Sequence, residues 1–68
     1  MDDPRLVELG EKIRKVREAK GMTQEQLAYK IDKDQPSINR VEKGKINPSY
    51  IYLSEIAAGL SVKLKDLL

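Results

Sequence analysis

Gln35, Pro36, Ser37, Asn39 and Arg40 gather hydrogen-bonding side chains into one short stretch of a 68-residue chain that has neither histidine nor cysteine. Their chemistry suits the edges of nucleic-acid bases. A glutamine amide presents a donor beside an acceptor, the complement of adenine N6 and N7, and an arginine fork complements guanine O6 and N7. Asn39 can reach a base edge or a phosphate, and Pro36 can touch a thymine methyl. Catalysis finds little support in comparison. Without histidine or cysteine there is no imidazole base, thiolate nucleophile, disulfide or zinc site of the usual ligands. Carboxylates are present, but no nucleophile elbow accompanies them. The expectation is a protein with no enzyme activity, cofactor, metal or small-molecule substrate.

The charge distribution agrees with a polyanionic partner. Net charge is only +2, yet residues 12–45 carry ten lysines and arginines against five acids, a local +5. Residues 1–11 carry a net −3 and residues 46–68 balance to zero. A local positive field of this kind can meet a phosphate backbone.

The elements that must position these side chains are helical. Leu6, Leu9, Ile13 and Val16 recur at spacings of three and four, predicting an amphipathic helix over Arg5 to Lys20 that Gly21 ends. Thr23 and Gln26 have the capping-box spacing and open a short helix with Leu27 and Ile31 on one face. After the polar break Asp32 to Asp34, Ile38 and Val41 mark another helix reaching Gly44. Pro36 fits only its first turn, so Asp34 or Gln35 is the cap. Asn47, Pro48 and Ser49 form a loop and cap before a helix through Ile51, Ile56 and Leu60 that closes near Gly59. Val62, Leu64, Leu67 and Leu68 make a last turn or two.

Five short helices joined by brief loops predict one all-α domain over residues 1–68. Its apolar runs fall far short of the ~20 residues that span a bilayer, and no signal peptide is visible, so a cytoplasmic, membrane-free protein is expected. Residues 23–44 fit a helix-turn-helix, whose steep crossing favours a small residue, Ala28, facing branched Ile38 and Val41. In that motif Ile38 and Val41 turn inward, and the first half of the second helix faces the major groove.

Ile13 to Gly21 (IRKVREAKG), Thr23 to Ala28 (TQEQLA), Pro36 to Gly44 (PSINRVEKG) and Asn47 to Ser49 (NPS) together carry a resemblance over nearly the whole chain. It is similar to the Cro/cI-type, XRE-like helix-turn-helix family of phage repressors and restriction-modification controller proteins. The resemblance implies a lambda-repressor-like fold and a transcriptional regulator of double-stranded DNA, a repressor or autoregulatory controller. It places Gln24 in a first turn that contacts the DNA backbone, makes Lys43 and Lys45 phosphate contacts, and pairs Arg17 with Glu42 in a partly buried ion pair. Where many relatives have glycine this chain has Asp32, at a position that tends to need positive φ. Relatives cap the last helix with serine or aspartate where Lys63 stands, so that helix is frayed or capped by Ser61.

The resemblance also implies a homodimer on a twofold-symmetric operator. Tyr50, Ile51, Tyr52, Leu64 and Leu68 are the candidates for self-contact, some of which must instead be core. The alternative is a protein-interaction module such as an antitoxin on the same fold. That reading calls for an additional disordered tail, which these residues do not supply. An RNA-binding role is weaker, because the only aromatics, Tyr29, Tyr50 and Tyr52, make no stacking platform with the basic stretch.

Overall fold

A computed structural model describes residues 2–68. Four α-helices follow one another, α1 Pro4–Ala19, α2 Gln24–Lys30, α3 Gln35–Glu42 and α4 Tyr50–Gly59, before a closing 3-10 turn at Leu64–Asp66. The all-α class holds, with no strand among the described residues. The expected fifth α-helix is only this turn. Asp66 and Leu67 donate to carbonyls three residues back, those of Lys63 and Leu64, each at 2.9 Å. Such i to i+3 bonding is usual in short pieces, and Leu67 at its end is fully buried. Ser61 does not cap it. The Lys63 amide instead donates to Asp66 Oδ2 at 3.0 Å. No helix is long and apolar enough to cross a membrane.

Each α-helix begins on a side-chain oxygen. Asp3, Thr23, Asp34 and Ser49 accept from the amides of Arg5, Gln26, Ser37 and Tyr52, meeting donors that a helix start leaves without partners. Asp34 thus resolves the choice between two caps. Thr23 and Gln26 complete the capping box reciprocally, at 3.0 and 2.9 Å. Residues 24–30 make α2 shorter than a reading to Ile31 would give, because Ile31 already belongs to the turn.

The four helices also end alike, on a residue in the left-handed region: Gly21, Asp32, Gly44 and Ser61. In each case its amide and the next bond the last-turn carbonyls, as Gly44 to Val41 at 3.1 Å and Lys45 to Arg40 at 2.9 Å. Asp32 has the positive φ expected of it, 59°. Gly44 is constrained twice, by a φ of 71° and because a Cβ there would lie 2.7 Å from the Val7 Cα.

Ile13, Leu27, Ile38, Val41, Ile56, Leu60 and Leu67 fill the core. Burial of each such side chain is worth about 1.5–3 kcal/mol. Ala28 is buried where α2 crosses α3, as the helix-turn-helix requires. A second close approach was not legible in the pattern of apolar residues. At Gly10 on α1 a Cβ would collide with the carbonyl oxygens of Val41 and Glu42, so glycine lets α1 lie against the end of α3. Gly59 likewise sits within α4 and gives room to Ile31 and Leu27, whereas the turn that follows falls at Ser61. With α1 behind it and α2 across it, α3 keeps one face outward.

Candidate nucleic-acid interface

At the centre of the site, Arg17 and Glu42 form the expected ion pair, and it is buried. Arg17 Nε donates to Glu42 Oε2 at 2.7 Å and Nη2 to Oε1 at 3.0 Å, with side-chain exposures of 9% and 2%. A third guanidinium nitrogen, Nη1, donates to the Met22 carbonyl at 2.7 Å. The hydrogen bond that Arg17 donates to Glu42, opposed in part by burial, holds the guanidinium above its ordinary pKa. The pair ties α1 to the end of α3 and to the loop entering α2.

From this pair a chain of amides leads outward. Gln24 Nε2 donates to Glu42 Oε1 at 2.9 Å. A carboxylate only accepts, so Gln24 must turn its nitrogen toward Glu42 and its oxygen toward α3. That oxygen accepts from Gln35 Nε2 at 2.6 Å and from Asn39 Nδ2 at 3.3 Å. All three amides are half-buried. Gln35 retains its second N–H and its carbonyl oxygen for an outside partner.

Pro36 and Arg40 are exposed on the outer face of α3, with Lys43 and Lys45 just beyond its end. Neither Arg40 nor Lys43 takes part in an ion pair among the described residues. Lys45 does, with Asp2 at 2.9 Å. Ser37 is drawn away from the rest of the set. Its amide is held by Asp34, and its hydroxyl hydrogen-bonds the hydroxyl of Tyr52.

That bond also bears on the self-contact candidates, some of which are expected to be core. Tyr52 packs against the core, and Lys33 Nζ lies 5.4 Å from the centre of its ring. Leu64 packs on the same core. Both are thus partly buried against the core, Tyr52 with its hydroxyl turned to Ser37 of α3. Tyr50, Ile51 and Leu68 remain exposed at 73%, 71% and 66%.

Arg14 is a residue the sequence reading missed. It rims a cleft of ≈ 450 Å³ with Gln24, Asn39, Lys43 and Lys45, and its guanidinium lies 3.5 Å from Glu18. Nothing distinguishes it from the other cations on the polar side of α1, since only the packing of α1 on α3 brings it here. The role of Gln24 as the link between Glu42 and Gln35 was equally hidden, because those contacts span 18 and 11 residues.

Residues 13–67 match the model of a family described as helix-turn-helix. The control protein C.MunI of Mycoplasma sp is 37% identical over 62 residues, 90% of this chain and 84% of that protein. An uncharacterised HTH-type transcriptional regulator of Archaeoglobus fulgidus is 41% identical over 56 residues, 82% of this chain and 80% of its own length. The restriction-modification controller protein C.AhdI from Aeromonas hydrophila superposes with a TM-score of 0.95 at 32% identity, covering 97% of this chain and 100% of its own. The controller protein C.Esp1396I, solved as a tetramer in complex with its natural 35 base-pair operator, superposes at 0.81 with 34% identity, over 91% of this chain and 92% of its own.

Proposed function

Because the chain belongs to the helix-turn-helix family, we propose that it is a sequence-specific regulator of transcription that binds double-stranded DNA as a twofold dimer. The observation that carries this reading is the outer face of α3. There Gln35 is oriented by Gln24 with a donor and an acceptor left over, and Arg40 is exposed on the same short helix. With one N–H of Gln35 held by Gln24, the remaining N–H and oxygen still suit N7 and N6 of an adenine. Arg40 reads a guanine, and Pro36 and Asn39 lie close enough in sequence to add contacts. Ser37 contributes less, since its hydroxyl is already engaged.

Lys43, Lys45, Arg14 and the first turn of α2 at Gln24 surround this face and supply phosphate contacts that set register without reading sequence. One such module covers few base pairs. A dimer contacting half-sites about one helical turn apart, ~34 Å, doubles the sequence read. Tyr50, Ile51 and Leu68 form the self-contact, being large apolar side chains of the C-terminal half that are left exposed. Similarity to a control protein and to restriction-modification controller proteins supports action as a repressor or autoregulatory controller.

Selection of bound duplexes from a random pool tests the reading. A twofold-symmetric consensus is expected, and binding to it falls steeply with salt. No enrichment even at low salt refutes sequence-specific DNA binding.

A further inference from the structure

The sequence splits its charge sharply, with −3 over residues 1–11 and +5 over residues 12–45, and the fold brings the two stretches together. The start of α1 lies against Gly44, whose missing side chain lets the Val7 backbone approach. This packing sets Asp2, just ahead of the α1 cap, beside Lys45, just beyond α3. Lys45 Nζ donates to both carboxylate oxygens of Asp2, at 2.9 and 3.1 Å. The two residues are 43 apart in sequence, so no local propensity accounts for the contact.

Other charged groups around this cleft are differently engaged. Glu42 is consumed by Arg17, Arg14 faces Glu18, and Lys43 has no ion-pair partner among the described residues. Glu11 also lines the cleft, but the acid that touches Lys45 is Asp2. A carboxylate offering two oxygens to an ammonium makes the same kind of charge-assisted bond that a phosphodiester would make.

We propose that Asp2 is an internal competitor for the duplex: it holds Lys45 in place of a DNA phosphate oxygen and is displaced when DNA binds. The inference rests on Lys45 being a phosphate contact of the proposed interface. Binding then exchanges one ion pair for another, so Lys45 adds less to affinity than a free lysine would. The released Asp2 side chain also recruits a cation from solution, offsetting the counterion that Lys45 frees from the DNA. Both effects are independent of DNA sequence, so Asp2 restrains binding to all duplexes alike.

Asp2→Asn removes the charge while keeping the shape. Its binding to the duplex enriched by selection and to a duplex of arbitrary sequence is measured by fluorescence anisotropy over a salt series, beside Lys45→Ala and the double variant. Thermal melts check that all three fold. An exposed ion pair of this kind corresponds to a change of about two- to fivefold, so Asp2→Asn is expected to tighten both duplexes by that factor. The slope of log affinity against log salt steepens by up to about 0.9. Both changes disappear when Lys45 is alanine. If Lys45→Ala weakens binding but Asp2→Asn alters neither affinity nor slope, the competitor is refuted while the DNA-binding reading stands. Equal tightening with and without Lys45 also overturns it, by showing that Asp2 acts through the general field. If Arg40→Ala weakens binding but Lys45→Ala does not weaken it even in the Asp2→Asn background, where nothing competes for Lys45, then Lys45 is no contact and the competitor falls with it. Failure of the unaltered protein to bind either duplex refutes both proposals.

Discussion

Glu42→Ala probes the part of the structure on which the interface rests. The lost carboxylate is 2% exposed and accepts two N–H groups from Arg17 and one from Gln24. Its removal leaves the Arg17 guanidinium, 9% exposed, with only the Met22 carbonyl, and breaking a buried pair in this way costs ~3–5 kcal/mol. At ~0.05–0.15 kcal/mol per residue the whole domain is stable by roughly 3–10 kcal/mol, so the variant loses a third of its stability or all of it. At about 4–8 °C per kcal/mol for a domain of this size, melting falls by roughly 12–40 °C. Circular dichroism melts and urea titrations measure this directly. The raised pKa of Arg17 lies above the ordinary guanidinium value, so its stabilising contribution is complete at lower pH and is lost only as pH rises through that elevated pKa. The deficit attributable to Arg17 is therefore the same at mildly acid and neutral pH. Arg17→Met with Glu42→Leu replaces both charges by apolar groups and recovers most of the stability, because no unpaired charge remains. A loss below ~1 kcal/mol for Glu42→Ala would refute the reasoning, since that is the range of an exposed pair.

Arg40→Ala is expected to cost ~1–3 kcal/mol of DNA affinity and relax one base position, whereas Lys43→Ala weakens all duplexes and lowers the salt slope by about 1; anisotropy on single-base operator variants separates them. Asp3 should show a pH signature. Arg5, through its side chain and then its amide, holds the Asp3 carboxyl down to about 2, so its stabilising effect is present above the ordinary value of 3.8 and fades as pH falls through the lowered one. Asp3→Ala therefore melts below the unaltered protein at neutral pH, and the difference closes near pH 2, as melts over an acid series will test. Gly10→Ala forces a methyl group into the α3 backbone and should destabilise by ~1–3 kcal/mol or more; an unchanged melting temperature would show that α1 can shift freely.

Several features were legible before any coordinates because they are settled within one turn of helix. Thr23 and Gln26 cap α2 across three residues, and Ile38 with Val41 mark the inner face of α3, while the left-handed Asp32 is expected only from the family resemblance. The helical class and the outward position of Arg40 follow from those local facts. The length of the last element did not, because Val62, Leu64 and Leu67 fit the pattern of a helix equally well. In the fold it is a 3-10 turn with Leu67 buried at its end.

What the sequence by itself determined was thus the four α-helices, the caps at Thr23 and Ser49 and the face α3 turns outward, since backbone hydrogen bonds and apolar spacing act over a few residues. The tertiary structure alone decided which similar side chains share a task. Tyr52 is drawn inward to Ser37 while Tyr50 stays out, Gln24 links Glu42 to Gln35, and Asp2 meets Lys45 across 43 residues. Such partners are chosen by how α1, α2 and α4 pack around α3. That packing hinges on a few close approaches, as at Gly10 and Gly44, whose effect on distant side chains has no signature in local spacing.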